Sequence, residues 1–172
     1  RMIACELHMK DIETLREEFR GDPQVAVHMR DGYEGLKAFL PPKERRGLVL
    51  IDPPFERPDE FAAGLAGLQT AHARWPTGCL ALWYPIKGPV ARGKLHAALM
   101  HGAIRRVLAV ELYTRLDDLD GLGGSGVIIV NPPWRSDHVL RTALPALAAR
   151  LADDEHDPGA SARSRVEWLV GE

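Results

Sequence analysis

Asp52-Pro53-Pro54-Phe55 follows the apolar run Gly47-Leu48-Val49-Leu50-Ile51, so an acid, two prolines and an aromatic ring stand where a buried strand gives way to a loop. Proline fixes φ, biases the residue before it toward extended backbone and has no N–H to donate. The corner is therefore stiff and presents acceptors only. A carboxylate beside backbone carbonyls suits the exocyclic NH2 group of a planar amine. The acceptors hold its protons while the nitrogen lone pair is drawn out of conjugation with the ring, and Phe55 stacks on the ring's face. The competing reading is a rigid turn after a strand, and the surroundings have to decide between the two.

Acids at the carboxyl ends of strands in open α/β sheets are candidate cofactor contacts, because ligands bind in the crevice beyond those ends. The first apolar run ends in Glu6, whose carboxylate suits the two hydroxyls of a ribose, or else serves as a charge at the start of the next helix. The second ends in Asp31-Gly32. There the acid is suited to accept from the adenine amino group of a cofactor while Gly32 lets the ring approach the backbone. The plainer role of Asp31 is to cap the helix that starts at Tyr33.

Other patterns carry less. Gly121-Leu122-Gly123-Gly124-Ser125-Gly126 spells a dinucleotide fingerprint, but it precedes a strand where the fingerprint must follow one and open a helix, so a hairpin connection is expected. Asn131-Pro132-Pro133-Trp134 repeats the proline pair after a later strand, and Asp52 is preferred over Asn131 because no glycine loop follows to hold a cofactor in a permuted chain. His96 and His101 miss the spacing of a helical zinc pair, and no metal site is predicted. Trp83-Tyr84-Pro85 ends a strand on the same side as Asp52, where it either walls the base pocket or packs in the core. Arg45, Arg46, Arg105 and Arg106 form pairs suited to contacting phosphates, with solvated surface the default reading of each.

The elements that must position these residues alternate between apolar runs and helical spacing, which predicts an α/β sheet with crossover helices. Strands are expected at Met2 to Leu7, Val25 to His28, Gly47 to Ile51, Gly78 to Tyr84, Ile104 to Tyr113, Gly126 to Val130 and Arg165 to Val170. Helices are expected at Met9 to Phe19, Tyr33 to Leu40, Pro58 to Arg74, Val90 to His101 and Asp137 to Leu151. The last carries Val139, Leu140, Leu144, Leu147 and Leu151 on one apolar face, with Pro145 a candidate kink. The strands at 104 to 113 and 126 to 130 are joined without a helix and should pair antiparallel, late in an otherwise mostly parallel sheet. Residues 152 to 162, charged and holding Pro158 and Gly159, read as an exposed mobile loop.

A chain of 172 residues, 45% hydrophobic, supports one domain with a substantial core. Its formal charge of −2 means that a nucleic-acid partner must be met by local basic patches. Cys5 and Cys79 lie in apolar strands and are expected as buried free thiols. No stretch approaches a membrane span and no secretory signal is present, so a cytoplasmic protein is expected. Arg1 runs straight into a strand, and a piece of a longer chain is expected.

Asp52-Pro53-Pro54-Phe55 resembles the Asp/Asn-Pro-Pro-aromatic motif of S-adenosylmethionine-dependent amino-methyltransferases, in which a target base is swung out of its stack. C-E-L-H at 5 to 8, R-D-G-Y at 30 to 33, L-P-P-K-E-R-R-G-L-V-L-I-D-P-P-F at 40 to 55, A-L-W-Y-P at 81 to 85 and S-G-V-I-I-V-N-P-P-W at 125 to 134 together resemble the RlmJ family. These bacterial enzymes methylate N6 of an adenosine in large-subunit ribosomal RNA. The resemblance implies a Rossmann-like class I methyltransferase fold and S-adenosylmethionine as cofactor. It implies Asp52 as the catalytic residue, lying also near the cofactor, with Pro53, Pro54 and Phe55 around the base and Glu6, Asp31 and Gly32 lining the cofactor pocket. The partner is then ribosomal RNA, with no metal and no membrane, and a monomer is expected.

The resemblance also implies an N-terminal portion, with a first strand and a glycine-rich cofactor loop, that these residues do not include. The strands ending at Glu6 and Asp52 would flank its slot, and the residues present are expected to bind cofactor poorly by themselves. Two rival readings accompany this one. The pocket recognises a planar amine and little else, so DNA adenine or a protein amide is an alternative substrate. A non-enzymatic RNA-binding or assembly module is the alternative from a different class.

Overall fold

The computed structural model describes residues 1–57, 59–114, 121–151 and 163–171. The chain divides into two compact units, Arg1–Pro41 and Pro42–Glu172.

In the first unit β1 (Met2–Glu6) is followed by α1 (Met9–Glu18), β2 (Val25–Met29) and α2 (Gly32–Phe39). The two strands pair in parallel, from Met2 opposite Val25 to Glu6 opposite Met29, as a crossover helix requires. Ile12 of α1 is fully enclosed, a burial that stabilises by about 1.5–3 kcal/mol. The helix ends at Glu18, and the turn that follows passes through Gly21, whose φ of +83° an L side chain rarely adopts. Gly35 lets α2 lie close to β1, since a Cβ there would stand 2.8 Å from the sulfur of Cys5.

In the second unit β3 (Leu48–Ile51), α3 (Glu60–Arg74), β4 (Cys79–Ile86), α4 (Pro89–Met100), β5 (Val107–Tyr113), β6 (Gly124–Val130), α5 (Ser136–Leu151) and β7 (Arg163–Val170) build a sheet of order β3-β4-β6-β5-β7. β3 and β4 are parallel, while β6 lies antiparallel between β4 and β5. β3, β4 and β5 therefore point one way and β6 is inserted against them, the mostly parallel α/β arrangement with a late reversed strand that the sequence predicts. β7 adds a second reversed strand beside β5. Among the described residues β1 pairs with β2 alone and β3 with β4 alone.

The core of this unit forms where β4 is covered on both faces. Leu80, Leu82, Tyr84 and Ile86 alternate along the strand and are all but inaccessible, packed with Leu68 and Ala71 of α3 and Ile128 and Val130 of β6. β3, at the edge, keeps Ile51 buried and leaves Leu48 and Leu50 exposed.

Several expectations shift. β5 begins at Val107 instead of Ile104 because Arg106 takes φ +55°, which breaks the extended run. α5 buries Leu144 and Ala148 and partly Leu140, one narrow stripe at four-residue spacing, while Val139, Leu147 and Leu151 stay exposed. The helix runs through Pro145 without interruption. Cys5 and Cys79 are free thiols but only half-buried, and burial raises the pKa of each. The loop expected over 152–162 lies outside the described residues, as does Pro58 at the expected start of α3. No helix among the described residues is long and apolar enough to cross a membrane.

The glycine-rich decoy serves packing. A Cβ on Gly126 would fall 2.1 Å from Cζ of Tyr84, and one on Gly124 would fall 2.2 Å from the Leu112 carbonyl oxygen. Gly126→Ala should lower the unfolding free energy by about 1–3 kcal/mol through overpacking. Gly32→Ala, whose Cβ would meet nothing within 4 Å, should be near neutral, and urea titration of both variants checks the contrast.

Candidate active site

β3 ends opposite Leu82 of β4, and β4 continues to Ile86, so Asp52 emerges beside the Trp83-Tyr84-Pro85 segment of its neighbour. The side chain of Pro53 is buried against α3, where Gly64 makes room: a Cβ there would lie 3.0 Å from Leu82 Cδ1 and 3.8 Å from Pro53 Cγ. Phe55 adopts φ +53°, a conformation that costs a non-glycine residue about 1–3 kcal/mol and has to be held by its surroundings. Two edge-on rings hold it. Phe61 lies 4.8 Å away at 63° and Trp83 5.7 Å away at 65°, centroid to centroid. Phe61 in turn packs on Tyr84 at 6.4 Å.

The loop closes onto α3 through reciprocal bonds. The Arg57 N–H donates to the Glu60 carboxylate at 3.3 Å, and the Glu60 N–H donates to the Arg57 carbonyl at 3.3 Å. Pro54 and Asp52 remain exposed, and among the described residues the Asp52 carboxylate makes no hydrogen bond or ion pair. The corner thus offers a carboxylate with both oxygens open, carbonyls without neighbouring N–H competition, and an aromatic ring in a fixed attitude. That set takes hydrogen bonds from an amine and stacks on the ring that carries it.

In the first unit Glu6 and Asp31 stand at the carboxyl ends of two adjacent parallel strands. Glu6 Oε1 accepts from the His8 N–H at 2.7 Å, and Asp31 Oδ1 accepts from the Tyr33 N–H at 2.7 Å as the N-cap of α2. The local role foreseen for each acid is therefore realised with one oxygen. The other oxygen of each has no partner among the described residues, so capping and ligand binding are compatible in one carboxylate. The open space above Gly32 admits a flat ring against the backbone.

A cluster not foreseen from sequence lies beside the aromatic wall. Glu111 of β5 is buried, and its Oε1 accepts from the Tyr84 hydroxyl at 2.9 Å while Oε2 accepts from Tyr113 at 2.7 Å. His96 Nε2 lies 2.9 Å from the same Tyr84 oxygen. Since Tyr84 donates its proton to Glu111, His96 must carry its proton on Nε2 and donate it. Arg92 bonds the Tyr113 hydroxyl and lies 3.8 Å from Glu111. Burial, then the Glu111 charge, pushes the Tyr84 phenol far above its ordinary range, and burial holds His96 below its own. The signal in the sequence was a glutamate inside an otherwise apolar run; nothing local told which residues would neutralise it.

The remaining candidates separate. Asn131 donates its amide to the carbonyls of Pro76 at 2.8 Å and Gly78 at 3.0 Å, at the end from which β4 starts, and so clamps a turn. Arg45, Arg46, Arg105 and Arg106 are exposed, which both readings of them require. Among the described residues no group of three or more His, Cys, Asp or Glu could hold a metal ion.

The strand directions, the reversed β6 and the proline-stiffened acid at the carboxyl end of β3 define a Rossmann-like methyltransferase fold. A model of the family described as "Ribosomal RNA large subunit methyltransferase D, RlmJ" matches residues 1–170, and the chain belongs to that family. It is 36% identical over 173 residues to a Haemophilus influenzae protein named "Ribosomal RNA large subunit methyltransferase J", covering 100% of this chain and 60% of that one. It is 38% identical over 168 residues to the Escherichia coli protein of the same name, covering 97% and 58%. A crystal structure from Legionella pneumophila, assigned to family DUF519, superposes with a TM-score of 0.84 at 27% identity, over 98% of this chain and 60% of that one. The chain thus spans about 60% of the length of the curated relatives it matches.

Removing the Tyr84 hydroxyl leaves Glu111 and His96 each short of a partner in a buried place, so Tyr84→Phe should destabilise by about 1–3 kcal/mol in urea unfolding. His96 has a folded pKa below its ordinary 6.5. Below that value the unfolded chain takes up a proton the folded one refuses, so His96 favours unfolding increasingly as pH falls through and below 6.5. Stability measured from neutral to mildly acidic pH should fall less steeply in His96→Gln.

Proposed function

We propose that the protein to which these residues belong is an S-adenosylmethionine-dependent methyltransferase acting on N6 of an adenosine in large-subunit ribosomal RNA, working in the cytoplasm. The observation that carries this reading is the exposed, unpartnered Asp52 carboxylate on a corner whose prolines offer no donor, beside a Phe55 ring fixed by two aromatic neighbours. The names printed for the Haemophilus influenzae and Escherichia coli relatives support the substrate class.

Asp52 and the Pro53 carbonyl accept the two protons of the adenine amino group, and Phe55 stacks on the base. Held this way, the nitrogen lone pair turns out of the ring system. Acceptors placed beforehand also stabilise the positive charge that grows on nitrogen, without reorganisation during the step. Asp52 then takes up the departing proton.

The residues of the first unit fit the cofactor in chemistry. The free oxygen of Glu6 suits ribose hydroxyls, that of Asp31 an adenine amino group, and Gly32 leaves a ring's thickness of open space. S-adenosylmethionine supplies an activated methyl group when bound. Asp52 is assigned a place near that cofactor as well as the catalytic role.

Asp52→Ala should abolish methyl transfer by the natural full-length enzyme to ribosomal RNA while leaving its thermal unfolding unchanged, since the side chain is exposed and bonds nothing among the described residues. Near-normal turnover would remove Asp52 from the mechanism. Parallel assays with radiolabelled methyl donor on ribosomal RNA, DNA and protein fix the substrate class, and labelling confined to DNA or protein would overturn the ribosomal assignment.

A further inference from the structure

The second proline pair carries a feature the proposed reaction does not use. β6 runs against β4, so Asn131-Pro132-Pro133-Trp134 emerges at the end from which β4 starts, the opposite end of the sheet from Asp52. The turn is rigid: Asn131 is bonded to two carbonyls, Pro132 is buried, and Asn131 and Arg135 both hold positive φ at +50° and +61°. On it Trp134 stands 86% exposed. The Arg135 guanidinium lies 5.1 Å from its ring centroid. Exposed Arg106 lies at the head of β5, while Arg105 before it donates back to the Gly102 and Ile104 carbonyls, and Trp168 of β7 is 39% exposed. Arg106, Pro133, Trp134, Arg135, Asp137 and Trp168 line an open groove of about 400 Å³. Asp137, the acid among them, accepts from the Trp168 indole N–H at 3.3 Å.

An indole held still and almost bare, with guanidinium groups around it, is the chemistry of a base-stacking platform with phosphate contacts. The groove joins apolar rings to guanidinium groups, and its one carboxylate among the described lining residues is already engaged. A polyanion finds Arg106 and Arg135 against one acid among the described lining residues, on a chain whose net charge is −2. We propose that this groove binds an unpaired stretch of RNA, one base stacked on Trp134 and its phosphates held by Arg135 and Arg106. The site is separate from the Asp52 corner and does not rest on the methyl-transfer reading.

The test uses the natural full-length protein and a short fluorescein-labelled oligouridylate, which has no adenine amino group for Asp52 to hold and is read without a methyl donor. By fluorescence anisotropy, Trp134→Ala should weaken binding about tenfold or more, and Trp134→Phe should retain most of it. Arg135→Gln should reduce the slope of log affinity against log salt by about 0.7. Binding should quench tryptophan emission in the wild type and leave it largely unquenched in Trp134→Phe. That readout also serves if the alanine variant proves unstable. Unchanged affinity in Trp134→Ala, or unchanged quenching in Trp134→Phe, overturns the proposal. So does sedimentation showing that Trp134→Ala loses self-association while RNA affinity stays the same, since the patch is then a protein interface. A protein that binds the probe through Trp134 but transfers no methyl group upholds this inference and sinks the proposed function.

Discussion

Tyr84 is buried completely, and a buried phenol has to find both space for its ring and partners for its hydroxyl. Gly126 on the neighbouring strand supplies the space by having no side chain, and Glu111 and His96 supply the partners. Glu111 is acceptable in the interior only because Tyr84 and Tyr113 donate to it and Arg92 and Arg165 lie within 4.0 Å. The middle of the sheet is therefore a mutually dependent set. Each polar member is tolerable because of the others, and its outer surface is the aromatic ring on which Phe61 rests.

That dependence reaches the candidate site. Phe61 stands between Tyr84 and Phe55, and Trp83, the residue before Tyr84 on β4, also meets the Phe55 ring edge-on. Phe55 has a backbone conformation that it would leave if those contacts were loosened. A fixed attitude of this ring matters for any role in stacking, because alignment of a bound base is set by the plane it rests on. The acid beside it is left free by the same architecture: prolines with no N–H on one side and a strand end on the other.

The two proline pairs show how one pattern takes two roles. At residues 52 to 55 the first residue is an acid, which cannot donate to backbone carbonyls and so stays open to an incoming donor. At 131 to 134 it is an amide, which can donate and is drawn onto the carbonyls of Pro76 and Gly78. The aromatic residue ends up half-buried in the first case and projecting in the second. Likewise Glu6 and Asp31 serve the backbone with one oxygen and keep the other, so the plain reading of each and the functional one did not need to compete.

The element order, the antiparallel β5–β6 pair and the acids at strand ends could all be read from the chain. Alternating and helical spacing reflect local geometry, and a proline pair after a strand stiffens a loop wherever it occurs. Legibility failed where the outcome depends on what lies opposite. The apolar stripe of α5 narrowed to Leu140, Leu144 and Ala148, on a helix packed against β5 and β7, while Leu147 and Leu151 stay about half exposed. The half-burial of Cys5 and Cys79 and the late start of β5 after Arg106 are of the same kind. The bond from Tyr84 to Glu111 joins residues 27 apart through the register of three strands. Composition and spacing thus determined which segments are strands, where the stiff corners fall and which acids stand at their ends. Only the tertiary structure decided which polar groups neutralise one another, because desolvation makes a buried charge depend on neighbours that the chain brings from far away.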